Sequence, residues 1–119
     1  MTPLGRKMRE LRESRGKTLK QMAGALNVSS AYLSALEHGK RGKPTYILLQ
    51  RIIQYFNVIW DEAEELHRLA DLSDPRVTVD TAGLSPEATE FANRLARDIS
   101  RLEPEDFATL QAELIKRAK

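Results

Sequence analysis

Apolar residues recur every three or four positions along most of this chain, which is the spacing of one face of an α-helix. The first such stripe is Leu4, Met8 and Leu11, and the last is Phe107, Leu110, Leu114 and Ala118. Between them, SDPRVTVDTAG interrupts the pattern with Pro, Gly and Asp and has the composition of a linker. We therefore predict an all-α protein, with a five-helix bundle in residues 1–71, a linker at 72–83 and a helical hairpin at 84–119.

Two short helices joined by a tight corner are predicted between Thr18 and Gly39. Thr18 is a good N-cap, and Gln21 stands where it can complete a capping box. Asn27 tolerates the left-handed conformation that a sharp corner needs, and Ser29 can cap the next helix. The apolar positions lie on one face of each helix: Leu19, Met22, Ala23 and Leu26, then Leu33 and Leu36. The product is a helix-turn-helix.

The same stretch resembles the signature of the Cro-like or XRE family, the phage-repressor type of helix-turn-helix in bacterial and phage DNA-binding regulators. The resemblance covers roughly residues 4 to 70. It departs from the family pattern at Leu19, where many members carry Gln, at Asn27, where most carry Gly, and at Gly42-Lys43, which lengthens the following loop. The residues that carry it are Thr18, Met22, Ala23, Leu26, Val28, Ser29, Tyr32, Leu33, Ser34, Leu36, Glu37, Gly39, Lys40, Pro44, Leu48, Leu49, Ile52, Ile53 and Val58.

The resemblance implies that the second helix of the motif, about Ser30 to His38, enters the major groove of double-stranded DNA. Its outward side chains are small, and Ser and Ala cannot make the bidentate base contacts of Arg, Asn or Gln. We therefore expect specificity to depend on DNA shape, on the loop after the helix and on Tyr32, whose ring could equally pack within the fold. The candidate DNA-binding residues are Lys17, Lys20, Ser29, Ser30, Ala31, Tyr32, Ser34, Ala35, His38, Lys40, Arg41 and Lys43.

Charge is divided unequally along the chain. Residues 1–56 carry 11 Lys and Arg against 3 Asp and Glu, a net +8, whereas residues 57–119 carry 8 against 14, a net −6. A basic half that coincides with a helix-turn-helix favours a polyanion as partner. The densest cationic cluster is the loop HGKRGKP, in which Arg41 is the best candidate to reach a base.

The sequence contains few features typical of metal binding, catalysis or membrane insertion. The chain has no Cys, and its two histidines, His38 and His67, lie on different predicted helices without a neighbouring carboxylate cluster. No nucleophile, base and orienting group come together, so we predict no catalytic residues, no metal site and no cofactor. No long apolar run or signal-peptide pattern occurs, which predicts a cytoplasmic protein without a membrane partner.

The C-terminal hairpin presents one apolar face on each arm, and two helices alone cannot bury such faces. They must pack on the first domain or on a second chain, and we favour a homodimer. Trp60 could fill the core or lie at a subunit contact, so a dimer through the fifth helix remains an alternative. The predicted interface residues are Leu84, Phe91, Leu95, Ile99, Leu102, Phe107, Leu110 and Leu114.

The resulting hypothesis is a transcriptional regulator, most often a repressor in the resembled family, that binds paired half-sites as a homodimer. The alternative is an antitoxin that binds its own operator through the basic half and neutralises a toxin through the acidic half. A protein partner, either a toxin or an antirepressor, is compatible with both readings.

Overall fold

A computed structural model describes residues 1–119 and confirms the all-α class. The chain forms two compact units, Met1–Val77 and Thr78–Lys119. The first unit contains five helices and the second contains two, linked by a short 3₁₀ helix at Ile99–Arg101. The α-helices are α1 (Pro3–Ser14), α2 (Leu19–Leu26), α3 (Ser30–Glu37), α4 (Tyr46–Phe56), α5 (Asp61–Asp71), α6 (Pro86–Asp98) and α7 (Pro104–Arg117).

All five helices of the first unit contribute to one hydrophobic core. α2 packs against α3 and α4, while α1 packs against α3 and α5, and α4 also contacts α5. Each predicted apolar stripe in this unit supplies buried side chains, so the helical periodicity located the core correctly. The buried apolar residues are Leu4, Met8, Met22, Ala23, Leu26, Leu33, Leu36, Leu49, Ile52, Phe56, Val58, Leu66 and Ala70.

The predicted helix-turn-helix corner is confirmed in its local hydrogen bonds. The Thr18 N–H donates to Gln21 Oε1 at 2.9 Å, and the Gln21 N–H donates to Thr18 Oγ1 at 3.0 Å, which is a capping box. Asn27 ends α2 in the left-handed conformation, with φ 59° and ψ 42°. Ser29 caps α3 through its hydroxyl, and Val28 packs against the core from the corner.

The start of α1 lies directly against the end of α3. A Cβ atom at Gly5 would lie only 2.1 Å from the Glu37 carbonyl oxygen, so a residue without a side chain is required there. The Thr2 N–H donates to the same carbonyl at 3.1 Å. This contact fixes the C-terminal end of the helix that the sequence predicts to enter the major groove.

The ends of α5 differ from the sequence expectation. Trp60 precedes α5 with φ 52° and ψ −122°, and it is 82% exposed, so it does not fill the core. Ser73 lies in the expected linker but is buried, because its hydroxyl oxygen accepts the Leu4 N–H at 2.9 Å and its O–H donates to the Leu69 carbonyl. The first residues after α5 therefore pack on the bundle.

The second unit consists of two α-helices joined through a 3₁₀ helix. The Ser85 hydroxyl accepts the Ala88 N–H at 3.2 Å and caps α6, and the Glu103 N–H donates to Asp106 Oδ2 at 2.8 Å at the start of α7. Helix α6 stops at Asp98, so Ile99 of the predicted interface lies in the following 3₁₀ helix and Leu102 comes just after it. No residue of this unit is buried. None of the helices in the protein combines the length and apolarity that a membrane span requires.

Candidate nucleic-acid interface

Helix α3 presents short side chains on one side and core side chains on the other. The Tyr32 N–H donates to Ser29 Oγ at 3.0 Å, which satisfies one of the free donors in the first turn. Leu33 and Leu36 are buried and anchor the helix. Of the candidate DNA-binding residues in this region, Ser29, Ser30 and Ala31 are exposed, whereas Ser34 and Ala35 are half-buried. The N-terminal turn is therefore the most accessible part of α3.

Glu37, the last residue of α3, is fully buried beneath this surface. Its carboxylate lies 3.7 Å from Arg9 and 3.7 Å from Arg12, two cations of α1. Burial raises the pKa of Glu37, because a charged carboxylate is poorly solvated there, while Arg12 and Arg9 oppose the rise. Neither Arg12 Nε nor Glu37 Oε2 has a hydrogen-bond partner, so Coulomb attraction holds that pair. This geometry gives Glu37 a structural role within the fold.

His38 caps the end of α3 and links it to α1. Its Nδ1 lies 2.8 Å from the Ser34 carbonyl oxygen, and its Nε2 lies 3.4 Å from a guanidinium nitrogen of Arg9. A carbonyl can only accept, so Nδ1 carries the proton and Nε2 accepts from Arg9. His38 is exposed. Helix α3 ends at Glu37, one residue before the predicted boundary at His38.

The loop between α3 and α4, residues 39–44, brings three cations together; we refer to it as the cationic loop. Lys40 is exposed, and its backbone N–H donates to the Ala35 carbonyl at 2.9 Å. The Arg41 guanidinium carbon lies 5.7 Å from the centre of the Tyr32 ring. Lys43 Nζ lies 3.4 Å from a carboxylate oxygen of Asp71 at the end of α5. The three cations therefore have different surroundings.

Two further predicted contacts, Lys17 and Lys20, lie at the start of α2. Both side chains are exposed. The Lys17 N–H donates to the Arg12 carbonyl at 3.0 Å, and an Arg12 guanidinium N–H donates to the Lys17 carbonyl at 3.3 Å. This pair of bonds holds the segment before α2 against α1. The positive end of the α2 dipole adds to the charge of the two lysines.

Acidic residues are also distributed unequally among the helices of the first unit. Residues 1–77 carry 13 Lys and Arg against 9 Asp and Glu, a net +4. Five of the nine carboxylates are on α5, which packs against α1 and α4. Residues 78–119 carry 6 against 8, a net −2. The acidic character that the sequence assigned to the whole second half is therefore shared between α5 and the second unit.

The arrangement suits binding to an anionic surface. It presents exposed hydroxyl groups, helix N-termini and exposed cationic side chains, which are the groups that contact nucleic-acid phosphates. The structure contains no group of three or more His, Cys, Asp and Glu side chains that could hold a metal ion. Most of the candidate DNA-binding residues are exposed at the protein surface.

Sequence analysis did not identify the partners of these residues. Arg9 and Arg12 could not be distinguished by sequence from the other basic residues of α1. Asp71 was not connected with Lys43, and the contact between Tyr32 and Arg41 was not foreseen. Each of these pairs joins different elements of the fold, so local spacing gives no signal for them.

The comparison with known families decides the classification. A family model described as a helix-turn-helix domain matches residues 3–74. This chain belongs to that helix-turn-helix family. The resemblance to Cro-like or XRE regulators is thereby confirmed, and it places the chain among DNA-binding domains of transcription regulation.

Individual proteins show more limited similarity. RghRB, an uncharacterised HTH-type transcriptional regulator of Bacillus subtilis (strain 168), is 36% identical over 61 residues. That match covers 51% of this chain and 44% of RghRB, so it spans less than half the length of the curated relative. A solved SinR protein/SinI protein complex contains a chain that aligns over 98% of this chain and 99% of its own length, at 20% identity and a TM-score of 0.46. Structural similarity of that degree supports no conclusion about the function of this chain.

Proposed function

We propose that this protein is a sequence-specific double-stranded DNA-binding transcription regulator that acts as a homodimer and represses the promoter it occupies. The observation that carries the proposal is the exposed N-terminal turn of α3 beside the cationic loop. A helix of this kind fits the major groove, and flanking cations can contact the phosphates on either side. Helix-turn-helix domains bind DNA and do not usually catalyse reactions.

Phosphate contacts are assigned to two groups of residues. Lys17 and Lys20 are exposed at the N-terminus of α2, where backbone amides also favour an anion. Lys40 is exposed on the cationic loop and has no carboxylate partner, in contrast to Lys43. We therefore assign a stronger phosphate contact to Lys40 than to Lys43.

Base contacts are assigned to the N-terminal turn of α3. Ser30 and Ala31 are exposed there, and their small side chains allow the helix to approach the base edges closely. Ser34 and Ala35 are half-buried and contribute less surface. Because Ser and Ala offer little base discrimination, sequence preference is assigned to DNA shape and to Arg41.

Dimerisation is assigned to residues 84–119. In the second unit Leu84, Phe91, Leu95, Ile99, Leu110 and Leu114 are all exposed, and no residue is buried. Leu102 and Phe107 are half-buried near the junction of the two helices. Exposed apolar surface of this extent favours association with another chain. A dimer also presents two α3 helices to paired half-sites, which adds contacts that one small domain lacks.

Selection of bound fragments from a random DNA pool tests the DNA-binding part of the proposal. The selected duplex and a scrambled duplex of equal length are then titrated at several salt concentrations. Tighter binding of the selected duplex, together with an affinity that falls as salt rises, supports sequence-specific recognition. Equal affinity for both duplexes at every salt concentration would reject it.

Light scattering tests the dimer. The full chain is compared with a shortened chain that ends at Val77, which retains Ser73 and its bond to the start of α1. We expect a dimer for the full chain, and a monomer with weaker DNA binding for the shortened chain. A shortened chain that remains a dimer would move the interface to the first unit.

A further inference from the structure

Tyr32 and Arg41 form a contact between α3 and the cationic loop. The guanidinium carbon of Arg41 lies 5.7 Å from the centroid of the Tyr32 ring, within the range of a cation–π interaction. Tyr32 is half-buried and packs against the hydrophobic core, so the core holds the ring in place. Arg41 is exposed. A fixed ring therefore holds a charged side chain at the protein surface.

The neighbouring loop residues offer Arg41 little other support. The backbone is fixed on one side by the Lys40 N–H, which bonds to the Ala35 carbonyl, and on the other by buried Pro44. Gly42 is exposed, and a Cβ atom there would meet nothing within 4 Å. Gly42 thus faces open space, Lys43 contacts Asp71 of α5, and the ring of Tyr32 is the contact that holds Arg41 to α3.

A guanidinium that lies over an aromatic ring retains its N–H donors for other partners. The donors lie in the plane of the group, so a phosphate or a guanine edge can still accept from them. An arginine that is already restrained also loses less side-chain freedom when it binds. The contact therefore restrains the Arg41 side chain and leaves its N–H donors available to bind DNA.

We propose that Tyr32 is a positioning residue, and that its ring, without the hydroxyl, holds Arg41 ready for DNA. The proposal rests on the proposed DNA-binding function. It predicts that the ring matters and the hydroxyl does not. It also predicts that Tyr32 has no effect on DNA affinity once Arg41 is absent.

The first part of the test uses the free protein without DNA. The proton chemical shifts of the Arg41 side chain are measured in the wild type, in Tyr32→Phe and in Tyr32→Leu. We expect an upfield ring-current shift in the wild type and in Tyr32→Phe, and its loss in Tyr32→Leu. Absence of that shift in the wild type would overturn the proposal, because the ring would not hold Arg41 in solution.

The second part is a double-mutant cycle with the duplex that wild-type protein selects from a random pool. We expect Tyr32→Phe to bind like the wild type and Tyr32→Leu to bind about 2- to 5-fold more weakly, the range of an exposed cation–π contact. Arg41→Ala should weaken binding and reduce the salt slope by about one unit if Arg41 contacts phosphate. The double variant should bind no more weakly than Arg41→Ala alone.

Three results of the cycle would overturn the role of Tyr32. Equal losses in Tyr32→Phe and Tyr32→Leu would assign the effect to the hydroxyl, and additive losses would show that Tyr32 acts without Arg41. Tighter binding by Tyr32→Leu would show that the ring holds Arg41 away from DNA. Melting temperatures control for the fold, and Tyr32→Met provides a second non-aromatic variant should Leu disturb the core. A wild type that selects no DNA would reject the proposed function and this proposal together, whereas additive losses in a protein that binds would reject only the latter.

Discussion

The two units of this protein share the same helical periodicity but differ in how many apolar residues they bury. In residues 1–77 the apolar stripes of five helices meet in one core, where thirteen apolar residues are buried. In residues 78–119 two helices of similar amphipathic pattern bury none. The difference shows that periodicity predicts which face of a helix is apolar, but not whether the chain itself supplies something to cover it.

The comparison predicts that substitutions in the first unit change stability and that those in the second change assembly. The largest effect is expected at Gly5. Gly5→Ala places a Cβ atom 2.1 Å from the Glu37 carbonyl oxygen, so α1 and α3 must separate. We expect a loss of about 3 kcal/mol in the free energy of unfolding, measured by urea denaturation.

Gly24 provides the matched control for Gly5. It is helical and exposed, and a Cβ atom there would meet nothing within 4 Å. Gly24→Ala should therefore stabilise the protein by up to about 1 kcal/mol through helix propensity alone. If both substitutions changed stability equally, the close approach of α1 to α3 would be incorrect.

The next largest effect is expected in the second unit. Leu114 is 63% exposed, so Leu114→Glu leaves the core of the first unit intact while it places a charge in the predicted dimer interface. Loss of one buried leucine corresponds to a dimer dissociation constant weaker by about 10- to 100-fold. Sedimentation at several protein concentrations measures the shift.

Lys116→Glu on the same helix is the control, because it also adds negative charge near the end of α7 but lies outside the apolar stripe. It should leave the dimer largely intact. A dimer that withstands Leu114→Glu would contradict an interface on the second unit.

A pH-dependent effect is expected at Glu37 in the first unit. Burial raises the folded-state pKa of Glu37 above its usual value of 4.5, with Arg12 and Arg9 acting in the opposite direction. The folded protein therefore binds this proton more tightly than the unfolded chain. The stability that results is present below pH 4.5 and is lost as the pH rises through the raised pKa.

Glu37→Gln removes this titration but keeps the size of the side chain. The free energy of unfolding of the wild type, relative to Glu37→Gln, should fall as the pH rises above 4.5. Glu62→Gln, an exposed carboxylate on α5, corrects for the loss of one acidic residue. A difference that instead grew with pH would mean that the arginines dominate over burial.

The smallest effect is expected at Asp71, which lies 3.4 Å from Lys43. Asp71→Asn should free Lys43 for phosphate and strengthen DNA binding by about 2- to 4-fold, the range of an exposed ion pair. Asp61→Asn, at the other end of the same helix, makes the same change in net charge without a neighbouring loop cation. Equal gains in the two variants would assign the effect to overall charge and not to Lys43.

The sequence predicted those features that depend on neighbours along the chain. The capping box of Thr18 and Gln21, the left-handed Asn27 and the Ser29 cap all involve residues within a few positions of each other, and all are present. Helix α6 likewise begins at a local cap, the Ser85 hydroxyl. Local hydrogen-bond chemistry fixes these features, so a single sequence contains the information.

Features that depend on distant contacts were missed or left open. The requirement for Gly5 arises from Glu37, thirty-two positions away, and Lys43 meets Asp71 only because α5 folds back beside the loop. Nothing in the sequence indicated the positive φ of Trp60, since large residues rarely adopt that backbone conformation. The candidate DNA-binding residues remain predictions in the same sense, because a contact with DNA is also non-local.

The central claim is that the protein binds DNA through α3 and the cationic loop. The most direct measurement is a map of backbone amide shifts on titration with the selected duplex. We expect the largest changes at residues 29–35 and 40–43, with smaller changes near Lys17 and Lys20 and none along the acidic face of α5. Changes concentrated on α5 or on residues 84–119, with α3 and the loop unaffected, would contradict the account.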